Sequence, residues 1–331
     1  MRIQTPFSVL DLAMYSEGRS IADAFQATRD LAQRAEQWGY HRYWLAEHHN
    51  LEGIASSATA ILIAYVAGHT RTIRVGSGGI MLPNHAPLMV AEQFGTLATL
   101  YPDRIDLGIG RAPGTDQATM RAIRKEAAAF PVDFAELLDE LLFYFAPAQS
   151  GQKIRAIPGA GMDIPIWILG SSIYSAQLAA RQGRPYAFAG HFAPQEMYQA
   201  VRLYRAEFRP SRDLKQPKVM IGVAAVAADT DEKAEYLATS PYQRLLSLIR
   251  GALKPAPPPV SSMQGLWTPH EEQIVRQMSA TMVVGGPAKV EAGLRLLIER
   301  TGADELIITS DLHAHEDRLR SFEIMASLRH D

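Results

Sequence analysis

The 331-residue chain contains no cysteine. Disulfides, thiol nucleophiles and thiolate metal sites are therefore excluded. It has no excess of charge of either sign: 33 Lys and Arg against 35 Asp and Glu give a formal net charge of −2. That balance offers no electrostatic footprint for nucleic acid or for an anionic membrane surface. Long apolar runs are also missing. The longest weakly apolar stretch, Ala55 to Gly68, is broken by Ser56, Ser57 and Thr59 and is too short to span a bilayer. The start, MRIQTPFSVLDL, lacks the basic head and apolar run of a signal peptide, so a soluble cytoplasmic protein is expected. No G-x-S-x-G elbow and no phosphate-loop G-K-[ST] occur, which leaves hydrolase and nucleotidase readings without a nucleophile or a cradle.

What is present is ordinary globular composition, 47% hydrophobic and 21% charged, in a chain long enough to build a large core. Short β-branched apolar runs alternate with amphipathic stretches. The runs are Phe7–Leu12, Tyr43–Ala46, Ile73–Leu82, Ile105–Gly110, Ile166–Leu169, Tyr186–Ala189, Val219–Ala227 and Leu306–Thr309. Runs of this kind suit strands buried on both faces. Ile21–Trp38 has apolar residues at helical spacing and is followed by Gly39, a helix stop. Eight strand–helix units predict a parallel sheet closed into a (β/α)8 TIM barrel, with an open doubly wound sheet as the rival. Two segments break the rhythm: Gly151–Asp163 and Gly251–Pro269, the second with Pro255, Pro257, Pro258 and Pro259. The second is expected to be an insertion without regular structure, reaching to about residue 278.

Barrel active sites lie at the C-terminal ends of the strands, so the residues following each run are the informative ones. They include Asp11, Glu47-His48-His49, Gly78-Gly79, Arg111, Gly170-Ser171-Ser172, His191 and Asp311. Glu47-His48-His49 lacks zinc spacing, because Trp44 stands where a second histidine would be needed, and no metal is expected. His48 is either a solvated or capping residue or a general acid/base able to titrate near neutrality. Gly78-Gly79, inside a strong strand, marks either a bulge or the close approach of a flat ring or a second backbone. Arg111 is a surface arginine or an anion contact. Ser171, Ser172 and Ser175 open a helix after a strand, which is either plain N-capping or a phosphate cradle. The run Gly108–Gly114 fails as a dinucleotide fingerprint because Pro113 takes the third glycine's place.

These residues resemble the bacterial-luciferase-like flavin monooxygenases. The resemblance runs from Phe7 to Leu328. It is carried by WLAEHH (Trp44–His49), VGSGGIMLPNHAPLMVAEQFGTL (Val75–Leu97), DRIDLGIGRAPG (Asp103–Gly114), PIWILGSSIYSAQLAARQG (Pro165–Gly183), YAFAGHF (Tyr186–Phe192) and MVVGGPAKV (Met282–Val290). The resemblance implies one barrel domain over residues 1–331. It also implies reduced FMN (FMNH2) with O2 as co-substrate, a small organic substrate, a separate flavin reductase and a homodimer. His48 matches the family's histidine beside the flavin, the acid/base. Gly78-Gly79 matches a pair that the family commonly joins by a non-proline cis peptide under the ring. Arg111, Ser171, Ser172 and Ser175 match phosphate contacts. Luciferases have a carboxylate near the Ser171 position and a thiol where Gly110 stands, so light emission is not implied. A deazaflavin-dependent dehydrogenase and a non-catalytic flavin-binding protein are the alternatives. The insertion, with Leu266 and Trp267, is read as a lid over the pocket, against a passive loop or a piece of dimer interface.

Overall fold

The computed structural model describes residues 3–112, 115–123 and 133–329. Among these residues there are nine strands: β1 (Phe7–Asp11), β2 (Arg42–Leu45), β3 (Arg74–Met81), β4 (Ile105–Gly110), β5 (Ile166–Gly170), β6 (Tyr186–Phe188), β7 (Val219–Ala227), β8 (Val283–Gly285) and β9 (Glu305–Thr309). The α-helices are α1 (Ile21–Gln37), α2 (Thr59–His69), α3 (Pro87–Leu100), α4 (Gln117–Ile123), α5 (Phe134–Phe145), α6 (Ile173–Gln182), α7 (Met197–Glu207), α8 (Asp231–Ile249), α9 (Pro269–Met278), α10 (Pro287–Thr301) and α11 (His315–Ser327).

Eight strands pair in parallel in the order β1-β2-β3-β4-β5-β6-β7-β9, and β9 returns to β1, closing the barrel. The expected TIM barrel is therefore the fold. β8 is an addition that the sequence reading did not separate from its surroundings. It pairs with Ala225–Ala227, beyond the Met220–Ala224 stretch that β7 gives to β9.

The eight barrel strands are largely buried on both faces, for two different purposes. Outward side chains meet the helices in one large cluster that includes Phe7, Val9, Tyr43, Leu45 and Ile308. α1 shows how a helix is fitted to that cluster. Ser20 and Asp23 form a capping box at its start, and Ala24, Thr28, Leu31, Ala32 and Ala35 make one buried face. Inward side chains form a second, smaller cluster of Leu10, Trp44, Ala46, Trp167, Ala187, Met220 and Ile307. Trp44 and Trp167 meet edge to face there, with ring centroids 5.6 Å apart.

Beneath this apolar layer lies a charged one. Arg42 donates to Asp106 at 2.6 Å and to Glu305 at 3.0 Å, and Arg74 donates to Asp106 at 2.7 Å. Trp44 Nε1 also donates to Asp106, at 3.1 Å. Every charge in the layer is paired, as burial demands.

Glycine lets the strands come together around these large rings. A Cβ on Gly108 would stand 2.2 Å from the Ser77 carbonyl oxygen, backbone that cannot swing aside. Gly108→Ala is therefore expected to destabilise the fold by about 1–3 kcal/mol through overpacking. A thermal melt reads this directly, and an unchanged midpoint would show that β3 and β4 can separate without cost.

The segment from 251 to 268 is irregular, as its prolines require. The expected insertion does not stay irregular to residue 278, because α9 begins at Pro269. Thr268 and Glu271 form a capping box, and proline occupies the first turn, where its missing N–H is no loss.

Candidate active site

The C-terminal mouth of the barrel holds a small, largely apolar hollow. Its walls include Leu10, Trp44, Gly78, Leu169, Gly222 and Ile307, with His191 as its titratable edge. Gly78 leaves room there: a Cβ would lie 2.6 Å from Leu10 Cδ1 and 3.2 Å from Trp44 Cβ, so the side chains lining the hollow would have to shift. The Gly78–Gly79 peptide is cis, and the β3–β4 register shifts between Ser77 and Ile80. The pair is thus both a bulge and a place of close approach.

β2 delivers Glu47, His48 and His49 to the rim, where alternation along the chain gives them different tasks. The buried Glu47 carboxylate accepts hydrogen bonds from Met81 N (2.9 Å) and Asn84 Nδ2 (3.2 Å), and it contacts the Nε2 atoms of His49 and His85, each at 2.9 Å. Burial pushes its pKa up, but the His85 bond and charge, then His49 and Met81, bring the net shift below the ordinary value. Glu47 thus ties β2 to the turn after β3. His48 is left free. Its Nδ1 is buried without a hydrogen-bond partner. Burial, with the nearby charge of Arg244, lowers its pKa to about 4 against the opposing pull of Glu47. The imidazole is therefore neutral at pH 7, with an acceptor to offer. His191 is pushed down by burial as well, with Asp311 and Gly222 opposing.

Across the mouth, β5 runs into α6. Arg111, just past β4, lies over the ring of Tyr174 in the first turn of α6, 4.4 Å from its centroid. This brings Arg111 to the helix start that carries Ser171 and Ser172. Ser172 is the N-cap residue in extended conformation, yet its hydroxyl makes no capping bond. Ser175 is placed differently from the other two serines. It is buried, donates to the Ser172 carbonyl at 2.8 Å and meets the Tyr186 hydroxyl at 3.3 Å. Its hydroxyl shapes the turn. The Ile173 N–H donates to the Glu196 carboxylate at 3.3 Å, so the helix start already accepts an anionic oxygen. Free hydroxyls, first-turn N–H groups and a guanidinium are the donors that a phosphate requires. The hollow above Gly78 is apolar, with the His191 imidazole at its edge, as a flat heteroaromatic ring requires. The residues therefore fit FMN in two separate places. Pro113 and Gly114 of the DRIDLGIGRAPG run lie outside the described residues.

Two expectations about the rim need correction, and one residue near it was not foreseen. Asp11 does not face the mouth. It points outward between helices and accepts from Ala13 N, Thr28 Oγ1, Tyr43 OH and Arg318 Nη2. Trp267 does not cover the hollow. It packs in a satellite cluster with Leu246, Met263 and Val275, beside Tyr242 and under Arg276. Arg244 was missed, because it projects from α8 rather than from a strand end.

Such a mouth, an apolar hollow beside titratable and donor-rich edges at the C-terminal ends of the strands, is where enzymes on this barrel place their active sites. A sequence model described as luciferase-like monooxygenase matches residues 5–305. The chain belongs to that family. A luciferase-like monooxygenase of Escherichia coli (strain K12) is 49% identical, covering 98% of this chain and 97% of that protein. The N-acetyl-S-alkylcysteine monooxygenase of Bacillus subtilis (strain 168) is 39% identical over 69% of each chain. Apo-MsnO8 superposes with a TM-score of 0.87 at 35% identity, covering 98% of each chain. Two more distant barrels share the fold alone. The oxygenating constituent of 3,6-diketocamphane monooxygenase, solved with FMN, has a TM-score of 0.73 at 18% identity, covering 98% of this chain and 97% of that one. An F420-dependent secondary alcohol dehydrogenase has a TM-score of 0.67 at 13% identity, covering 99% of this chain and all of that one.

Proposed function

We propose that the protein is an FMN-dependent monooxygenase acting on a small organic substrate, with reduced flavin delivered by a separate reductase. The reduced flavin supplies two electrons and two protons, one oxygen atom of O2 enters the substrate, and the other leaves as water. The observation that carries the reading is the pairing of an apolar hollow, edged by His191 with the neutral His48 nearby, with the donor-rich start of α6 across the mouth. In it, Arg111, Ser171 and Ser172 bind the phosphate and Gly78 and Gly79 admit the ring. The Trp44–Trp167 floor keeps water from below, and His48 Nδ1 holds or releases a proton. Ser175 acts by fixing the turn that presents Ser171 and Ser172. A thioether of the kind named for the Bacillus subtilis relative is the first substrate to try. A symmetric homodimer working in the cytoplasm belongs to the same reading.

The distant F420-dependent barrel favours one rival, a deazaflavin dehydrogenase. Titration with oxidised FMN, reduced FMN and deazaflavin, followed by an oxygen trace, separates the two. Oxygen uptake that requires reduced FMN supports the proposal. Anaerobic turnover with deazaflavin overturns it in favour of the dehydrogenase, and tight flavin binding without oxygen use would mean a binding protein.

Arg111→Ala removes a charge-assisted hydrogen bond and is expected to cost about 1.5–3 kcal/mol of FMN binding. Riboflavin, which has no phosphate, should bind poorly to the parent and lose little more in the variant. Equal losses for the two ligands would show that Arg111 does not hold the phosphate.

A further inference from the structure

Arg244 sits on α8, and its neighbours come from three strand ends. Its Nη1 lies where a Cβ on Gly53, beyond β2, would approach within 2.7 Å. Its electrostatic partners are Tyr15 after β1 and Asp311 after β9. Its own charge reaches His48. A guanidinium has five N–H donors. Among the described residues, the one hydrogen bond the Arg244 guanidinium makes is a long one, 3.4 Å, to the Lys254 carbonyl. Among the described residues no carboxylate forms a salt bridge with it. Three other arginines within the barrel wall are handled differently: Arg42, Arg74 and Arg318 each hold a carboxylate at 2.6–2.8 Å, and Arg104, which has none, donates instead to three backbone carbonyls and the Thr70 hydroxyl. Withdrawing a cation from water without an ion pair is costly, and the cost is recovered when an anion arrives.

The position also separates this cation from the phosphate donors. In the closed ring of eight strands, β1 and β5 are four places apart, on opposite sides of the mouth. The α6 start follows β5, whereas Arg244 lies over the β1, β2 and β9 side, next to His48. The backbone around it is braced. Ser240 donates to the Pro257 carbonyl at 2.6 Å and Gln243 to the Pro258 carbonyl at 3.0 Å. The Ala256 carbonyl accepts from Glu17 N at 2.9 Å. The proline segment is thus a strap that fixes α8 to the β1 loop and holds Arg244 in place.

We propose that Arg244 anchors an anionic group of the organic substrate, a carboxylate, and so selects acids as the molecules held beside His48. This rests on the monooxygenase reading for its substrate but not for its anion. A carboxylate matches the guanidinium fork with two parallel N–H···O bonds. Tyr15 stands close enough to share the rim, and Asp311 sets a counter-charge that discourages dianions. The flavin phosphate is the competing source of the anion, and the experiment distinguishes the two.

The probes are N-acetyl-S-methylcysteine and its primary carboxamide, with FMN and riboflavin titrated separately, by calorimetry on the full-length protein. The acid is expected to bind the parent at least ~10-fold more tightly than the amide, the ratio that about 1.4 kcal/mol of charge-assisted bonding gives. Arg244→Met should erase that preference, Arg244→Lys should keep part of it, and both should leave the FMN-to-riboflavin ratio unchanged. Equal binding of acid and amide to the parent, or failure of both to bind, overturns the proposal and needs no variant. So does a preference that survives Arg244→Met. A collapse of the FMN-to-riboflavin ratio in Arg244→Met would assign the cation to the flavin phosphate instead. If the parent binds no flavin yet prefers the acid, the cofactor reading fails and the anchor stands.

Discussion

Turnover is expected to fall by roughly 10²–10⁴-fold in His48→Ala, with FMN affinity little changed. The reasoning starts from the state of the imidazole. Burial is the largest influence on it and disfavours the charged form. The Arg244 charge pushes the same way, as do His191 and His49 to a lesser degree, and Glu47 only partly offsets them. A pKa of about 4 leaves the ring neutral through the physiological range, with one ring nitrogen an acceptor, and its Nδ1 is buried without a partner. Removing it takes away a neutral imidazole beside the mouth that can receive a proton, while the donors at the α6 start on the far side stay in place. The pH profile is a second check. An unperturbed histidine would bring the acid limb in near 6.5. Here the rate should stay level as pH drops through that value and decline only on approach to about 4. A variant that turns over normally once saturated with reduced flavin would remove His48 from the chemistry. An acid limb near 6.5 would mean the imidazole is solvated.

How far the sequence reached depends on what each feature left in the residue pattern. The eight barrel strands were legible because β-branched runs bounded by turns leave little alternative. Ile105–Gly110 and Val219–Ala227 match to the residue. β8 was not legible, since three residues of Val-Val-Gly carry no periodicity of their own. α9 had a readable start, Thr268-Pro269 followed by Glu271, but the four prolines just before it dominated the reading. At the mouth, the strand-end rule pointed to His48, Gly78, Gly79, Arg111, Ser171 and Ser172, which lie within or just after β2, β3, β4 and β5. It failed for Asp11 for a physical reason. A strand buried on both faces has no polar–apolar alternation to say which side chains face in. Ser8 and Leu10 point inward and Phe7, Val9 and Asp11 outward, yet all five are buried. It failed for Arg244 because the rule inspects loops, and a helix side chain reaching over the rim leaves no trace in spacing. Ser175 needed coordinates too, since its bond to the Ser172 carbonyl depends on the local turn.

Asp11→Ala is expected to lower stability by about 3–5 kcal/mol, the range for removing one partner of a buried ion pair. Asp11 is fully buried, and its carboxylate joins four separate pieces of the fold. It takes a hydrogen bond from Thr28 on α1 at 2.7 Å, one from Tyr43 on β2, one from the Ala13 backbone at 2.9 Å and one from Arg318 on α11 at 2.8 Å. Alanine would strand the Arg318 guanidinium in the protein interior with only the Ser310 carbonyl, at 3.0 Å, to accept from it. Two hydroxyls would lose an acceptor at the same time. The dependence on pH has a definite sign. Burial pushes the Asp11 pKa up, but Arg318 and the bonds from Tyr43 and Thr28 outweigh it, so the folded value lies below the ordinary 3.8. The stabilisation is therefore complete above 3.8 and is lost as pH falls through the lower, folded value. Urea melts at pH 7 measure the size of the effect, and an acid titration of the parent fixes the window. A double variant decides what the pair is for. Asp11→Leu with Arg318→Met replaces the charges by apolar side chains, and recovery of most of the lost stability is expected, because an apolar pair carries no desolvation cost. If the double variant is as unstable as Asp11→Ala, the hydrogen bonds to Thr28 and Tyr43, and not the ion pair, hold α1 and α11 to the barrel.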